Sequence, residues 1–121
     1  MYQAYNLTEE SKQAILSLFV PAFSNFVLHH ITYKFGVPKD SPLPPPVETV
    51  RVIGFMKNDH IECFVCSVDG SIERADGGIY HITFSHSDFA SPKDSNELLE
   101  DRSSIQFIVP IPITVIPSLN Q

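Results

Sequence analysis

The tripeptide His-Ile-Thr occurs twice in the sequence, at 30–32 and again at 81–83. Side chains alternate between the two faces of a β-strand, so residues two apart project to the same side. If both copies form strands, each presents one imidazole beside one hydroxyl. Two such strands facing each other would surround a pocket with two groups that give or take a proton and two neutral hydrogen-bond donors. That combination suits a phosphate.

The elements that must position these residues are two apolar-rich runs, which predict a first motif strand at 26–35 and a second at 79–85. In the first run, alternation places Val27 and His29 opposite Leu28, His30 and Thr32. The second run is predicted to have two faces of the same kind, one with Ile79, His81, Thr83 and Ser85 and the other with Tyr80, Ile82 and Phe84.

The rest of the chain predicts a helix at 6–19, a hairpin at 48–56 and 61–68, a short helix at 96–100 and a strand at 105–109. Asn6 or Thr8 can cap the first helix, and Pro21 should end it. The prolines of 36–47 predict a loop, and those of 110–121 restrict that segment to an edge strand or an extended C-terminal tail. Two helices and about six strands predict an α+β fold with a largely antiparallel sheet and one or two covering helices.

Length and charge narrow the class of protein. A chain of 121 residues with 43% hydrophobic residues is expected to form one compact domain, 1–121. A net charge of -6 weighs against binding along a nucleic-acid backbone, but it is compatible with binding a single nucleotide or the end of a strand. The start of the chain does not look like a signal peptide, and no apolar run reaches membrane-spanning length, so a cytoplasmic setting is expected.

Cys63 and Cys66 have the C-x-x-C spacing of zinc and redox sites. On the predicted hairpin strand, however, residues three apart point to opposite faces, and the sequence contains no second pair. Both are interpreted as core-filling cysteines.

Paired H-x-T motifs inside strand-like apolar runs resemble those of the 2H phosphoesterases. That family includes the LigT-like RNA 2',3'-cyclic phosphodiesterases and the cyclic phosphodiesterase domain of fungal and plant tRNA ligases. The resemblance rests on His30-Ile31-Thr32 and His81-Ile82-Thr83, and the rest of the chain is compatible only in element type. The spacing of 51 residues between the two histidines is shorter than is usual in the family. The chain would therefore be a reduced member, with fewer elements over the cleft between its motif strands.

The resemblance implies metal-independent hydrolysis of a cyclic phosphodiester, with no cofactor. The leading substrate is a 2',3'-cyclic phosphate on an RNA terminus or a nucleotide. His30 and His81 would be the general acid and base, in either order, and Thr32 and Thr83 would bind the phosphate oxygens. Aromatic residues near the motifs are possible partners for stacking on a base, or else core residues: Tyr33, Tyr80, Phe35 and Phe84.

Several alternatives stay open at this point. The chain could hold a nucleotide or an RNA end without turnover. It could instead bind a protein partner through its proline segments, with the two motifs being accidental. A metal site built from His29, His30, His81 and His86 is a weaker interpretation, because no carboxylate or thiolate lies at ligand spacing on the same strands.

Overall fold

A computed structural model describes residues 1–121 and contains eight strands and two short helices. The strands are β1 (Tyr2–Leu7), β2 (Asn25–Phe26), β3 (His30–Phe35), β4 (Val50–Lys57), β5 (Ile61–Val68), β6 (His81–His86), β7 (Gln106–Ile113) and β8 (Val115–Asn120), and the helices are α1 (Glu9–Leu16) and α2 (Ser95–Leu98). One sheet has the order β3-β1-β8 and the other β2-β6-β5-β4-β7. All strand pairs are antiparallel, which confirms the predicted α+β class, but the strands form two sheets and not the single sheet that the sequence predicted.

The main core contains side chains from both sheets and one from α1, with Tyr5, Ile31, Phe64 and Ile82 among its largest buried members. A second, smaller cluster lies on the other face of the five-stranded sheet and includes Leu99, just after α2. The central strand β5 is therefore buried on both faces, as its nearly continuous apolar sequence requires.

The two cysteines of β5 divide between these clusters, with Cys66 in the main core and Cys63 in the smaller one. Both are free thiols with no exposed surface. Burial raises the pKa of Cys63 to about 12 and shifts the pKa of Cys66 in the same direction. The interpretation of these residues as core-filling cysteines on opposite strand faces is confirmed.

The first motif segment is not the single strand that the sequence predicts. Its first part pairs with β6, and the backbone N–H of Leu28 donates to the Thr83 carbonyl at 3.0 Å. From His30 onward the chain pairs with β1 in the other sheet. Leu28 has a left-handed backbone (φ +41°), so the alternation of side chains is reset there. Leu28 is buried in the core, whereas Val27 lies on the same side as His30, which corrects the predicted faces.

The helix predicted at 6–19 is too long at both ends. Residues 2–7 form β1, because their backbone groups pair with β3 on one side and β8 on the other. Helix α1 covers only Glu9–Leu16, and it ends before Pro21. The Thr8 hydroxyl accepts a hydrogen bond from the Ser11 N–H at 3.2 Å, as expected of a cap.

The proline segments are tied to the sheets. The segment 36–47 has no regular secondary structure, but Gln3 Nε2 donates to the Pro42 carbonyl and Tyr5 Oη to the Pro45 carbonyl. The segment 110–121, predicted as an edge strand or tail, forms the end of β7 and all of β8, each the edge strand of its sheet. An edge position tolerates proline because an outward-facing N–H is not needed for pairing. None of the helices has the length and apolar character needed to cross a bilayer.

The sheet switch at Leu28 leads to a stability prediction. Leu28→Ala should lower the free energy of unfolding by about 2–5 kcal/mol, because the side chain is fully buried where the two sheets meet. The neighbouring control Phe26→Ala should cost less than half as much, since Phe26 is half exposed. Urea unfolding of the two variants checks this, and equal losses would show that Leu28 is not an anchor of the switch.

Candidate functional site

A pocket of about 270 Å³ opens where the two sheets diverge, and all four polar motif side chains line it: His30, Thr32, His81 and Thr83. We call it the motif pocket. Its remaining walls come from both sheets and from the region of α2, with Tyr2, Val27, Phe35, Pro92, Lys93 and Asn96. No aspartate or glutamate lines the pocket, and Lys93 brings a positive charge to it. In a chain of net charge -6, that lining favours an anion.

His81 is buried at the first position of β6, and its Nδ1 lies 2.8 Å from the Ile79 carbonyl oxygen. A carbonyl oxygen only accepts, so Nδ1 carries the hydrogen and the neutral ring keeps its lone pair on Nε2. Nε2 has no protein partner, and it is not among the solvent-shielded polar atoms. It is therefore free to meet a ligand.

His30 is half-buried at the start of β3, and its ring centroid lies 5.1 Å from that of Tyr2. Its Nδ1 is 3.0 Å from Nδ1 of His29, so one of these two nitrogens donates to the other. His29 precedes the strand and is exposed, with its ring against His30. This corrects the expectation that the two rings face opposite ways, because the chain is not extended as a strand at His29.

Burial lowers the pKa of both motif histidines. The pKa of His30 falls to about 4, first through burial and then through the proximity of His29 and His81. Burial also lowers the pKa of His81, and the charge of Arg74 adds to this, while the bond to the Ile79 carbonyl acts in the opposite direction. Both imidazoles are therefore neutral at pH 7 when the pocket is empty.

The two motif threonines differ in how their hydroxyls are held. Thr83 Oγ1 lies 2.9 Å from the hydroxyl of buried Ser95 and 3.4 Å from the Pro92 carbonyl, so the start of α2 fixes its position. Thr32 Oγ1 has no protein partner and is not among the solvent-shielded polar atoms. The pocket thus contains one free hydroxyl and one that is already oriented by its neighbours.

The aromatic lining differs from the prediction. Tyr33 packs against Tyr5 with ring centroids 5.9 Å apart, and Tyr80 is buried in the main core, so neither lines the pocket. Phe35, which the sequence also named as a stacking candidate, does line the pocket, together with Tyr2. The register of β1 against β3 shifts by one residue between Thr32 and Phe35, and this bulge brings Phe35 onto the face of Thr32.

Sequence reasoning missed Tyr2, Lys93 and Asn96. Tyr2 was missed because the first residues were not assigned to a strand. Lys93 and Asn96 lie in and just after a short turn of 3₁₀ helix, about ten residues beyond the second motif. Lys93 could have been found because a phosphate site needs a nearby cation and the chain contains only eight Lys and Arg residues.

The remaining histidines lie outside the motif pocket. His60 is exposed in the β4–β5 turn, 3.2 Å from Ser87 Oγ, and His86 Nδ1 bonds the Ser87 carbonyl. No group of three or more His, Cys, Asp or Glu side chains is arranged to hold a metal ion.

Comparison with protein-family models, with curated proteins and with solved structures finds no match. The interpretation of the motif pocket therefore depends on its own geometry and on the two motifs that line it.

The depressed pKa of His30 predicts a pH dependence of stability. Below pH 6.5 this imidazole is protonated in the unfolded chain, whereas in the folded protein His30 stays neutral until about pH 4. The free energy of unfolding should therefore fall as the pH drops from 6.5 towards 4, by about 2–3 kcal/mol from this residue. Urea titrations at pH 7 and pH 4.5 should show a smaller drop for His30→Gln than for wild type.

The exposed His60 offers the matched control, and His60→Gln should keep the drop of the wild-type protein. If His30→Gln and wild type lost the same stability between these pH values, the claim that folding keeps His30 neutral would be refuted.

Proposed function

We propose that this chain hydrolyses a cyclic phosphodiester without a metal ion. The substrate proposed is a 2',3'-cyclic phosphate on a nucleotide or at the end of an RNA strand. The observation that carries the proposal is that both imidazoles and both hydroxyls of the repeated motif line one pocket with no carboxylate in its walls. Two titratable rings beside neutral donors are the parts that acid–base attack on a phosphorus centre needs.

In the proposed reaction, a water oxygen attacks the phosphorus while a neutral imidazole takes the proton from that water. The second imidazole, protonated, gives a proton to the departing ribose oxygen. One P–O bond forms, one breaks, and the product is a phosphomonoester beside a free hydroxyl. Thr32 donates to one non-bridging oxygen, and Thr83 donates to the other once its hydrogen turns away from the Pro92 carbonyl, with Ser95 then donating to Thr83. Lys93 adds positive charge near the same oxygens.

We assign the acid to His81 and the base to His30. The bond from His81 Nδ1 to the Ile79 carbonyl stabilises the imidazolium form of that ring and leaves Nε2–H as the proton to be given. Burial, and after it the neighbouring His29, disfavours a positive charge on His30, which has no carbonyl partner to offset these effects, so we assign His30 as the ring that stays neutral. A bound phosphate anion raises the pKa of both rings. His81, whose Nδ1 already has a carbonyl partner, is then the first to be protonated.

The size of the pocket supports a small substrate or a strand end. At about 270 Å³ it lies just below the usual range for ligand pockets, roughly 300–1,000 Å³. The phosphate and ribose would occupy the pocket, and the half-exposed ring of Phe35 beside Tyr2 offers a stacking surface for the base.

A non-catalytic nucleotide-binding module is the second candidate. The observation in its favour is that burial lowers the pKa of both imidazoles, so the empty pocket holds no protonated acid at neutral pH. Such a module would bind cyclic nucleotides with wild-type affinity and release them unchanged.

The enzyme predicts loss of turnover in single histidine variants. His30→Ala and His81→Ala should each lower kcat by about 10²–10⁴-fold, the usual contribution of one general acid or base. The assay is a screen of 2',3'-cyclic mononucleotides and short cyclic-ended RNAs with a chelator present. The exposed His60→Ala serves as the control with an imidazole removed from outside the pocket, and circular dichroism checks the fold. Full activity in both pocket variants would refute the acid–base assignment.

The proposed roles also predict an acidic pH optimum. As the pH falls through about 4, His30 takes up a proton and kcat/KM should decline on the acid side. As the pH rises through the lowered pKa of His81, below 6.5, the acid is lost and kcat/KM should decline again. In the residual activity of His30→Gln the acid limb should vanish, and in that of His81→Gln the basic limb. An optimum above pH 7 would contradict these roles.

A further inference from the structure

A second cavity, of about 500 Å³, adjoins the motif pocket, and we call it the arginine cavity. It is lined by Arg74, the turn at Gly77–Gly78, and residues at and beyond α2 that include Asn96, Glu100 and Arg102. Asn96 lines both cavities. Phe35, in the wall of the motif pocket, has its ring centroid 5.6 Å from Cζ of Arg74. The two cavities therefore share walls.

Arg74 is the unusual residue of this cavity. Its side chain is only 6% exposed, and its Nε donates to Asp76 Oδ1 at 3.1 Å. Its Nη1 is the only buried side-chain nitrogen or oxygen in the chain without a hydrogen-bond partner. A buried donor left unpaired costs about 1–3 kcal/mol, and a guanidinium has donors in a fixed fork. Nη2 also has no hydrogen-bond partner but, unlike Nη1, is not among the solvent-shielded atoms, so it is the donor that a ligand in the cavity can reach.

The other charges of the cavity are engaged or lie at its rim. Asp76 Oδ1 accepts from the Gly78 N–H as well as from Arg74. Arg102 forms an exposed ion pair with Glu73 at 2.7 Å, and Glu100 is exposed. Neither amino nitrogen of Arg74 has a protein acceptor, and Nη2, the one that solvent reaches, can donate a charge-assisted hydrogen bond to a phosphate oxygen in the cavity.

We propose that the arginine cavity is a subsite for a second phosphate group on the substrate. The preferred substrate is then a nucleotide that carries another phosphate besides the one held between the two motifs. This inference rests on the proposed function only for the identity of the first phosphate. The nucleoside would span the shared wall at Phe35, between the imidazoles on one side and Arg74 on the other.

Equilibrium binding tests the subsite without any need for turnover. Calorimetric titration compares adenosine 3'-monophosphate with adenosine 3',5'-bisphosphate, neither of which contains a cyclic ester. The wild-type protein should bind the bisphosphate about 10- to 100-fold more tightly, the usual range for hydrogen bonds between charged groups. In Arg74→Gln the ratio of the two affinities should fall towards one.

A second variant covers the case in which Arg74→Gln does not fold. In Gly78→Ala the added methyl group would overlap Arg74 Nη2, so the guanidinium must move while its charge is kept. The same loss of the bisphosphate preference is expected. Arg51→Gln, an exposed site on β4 outside both cavities, removes the same charge and should keep the preference.

Equal affinities for the two ligands in the wild type would overturn the subsite, and so would a preference that persists in both Arg74→Gln and Gly78→Ala. Hydrolysis of 2',3'-cyclic AMP is measured in parallel with a chelator present. Turnover without a bisphosphate preference would agree with the proposed enzymatic function but refute the subsite. An Arg74-dependent preference without turnover of any cyclic phosphate would establish the subsite and refute the enzyme.

Discussion

The motif pocket depends on one constraint of backbone pairing, which is that residues 25–35 belong to both sheets. The N–H groups of Val27 and Leu28 donate to β6, and a few residues later His30 and its successors pair with β1. Buried backbone groups must be paired, so the chain cannot leave one sheet without joining the other. Before Leu28 the chain is hydrogen-bonded to β6, whereas β3 is bonded to β1 and not to β6. The gap between β3 and β6 is therefore lined by side chains. The motif side chains are the ones that line this gap.

That origin explains the electrostatics of the site. Side chains in the gap are largely withdrawn from water, and desolvation disfavours the charged form of an imidazole. Both motif histidines therefore have lowered pKa values, and for His81 the bond to the Ile79 carbonyl and the charge of Asp76 oppose the shift without reversing it. An anion that enters supplies the missing negative charge. The same pocket is then neutral when empty and able to hold a proton when a phosphate is bound, which suits a site whose acid is needed only with substrate present.

The parts of this arrangement that follow from local pattern were predictable from the sequence. The alternation from Ile79 to Ser85 correctly separates the pocket face from the core face, and the hairpin that carries Cys63 and Cys66 has the predicted bounds within about two residues. The α+β class also follows from the elements. The predictions that were wrong concern features that are determined by tertiary pairing of strands. The left-handed Leu28 and the bulge before Phe35 each shift the alternation by one residue, and neither involves a glycine or proline that would mark it. Strand β1 is set by partners 24–33 and 108–118 residues away along the chain.

The shared wall at Phe35 also couples the two cavities electrostatically. The positive charge of Arg74 is one of the causes that lower the pKa of His81. A phosphate bound to Arg74 would offset that charge, so the pKa of His81 would rise as the arginine cavity fills. His81 is the ring to which we assign the proton that the leaving oxygen receives. A substrate with a second phosphate would thus gain twice, because the same contact that adds affinity also favours the protonated acid. A substrate with only the cyclic phosphate would leave the amino nitrogens of Arg74 without an acceptor and His81 harder to protonate, so in the proposed enzyme Arg74 would link the choice of substrate to the acid step.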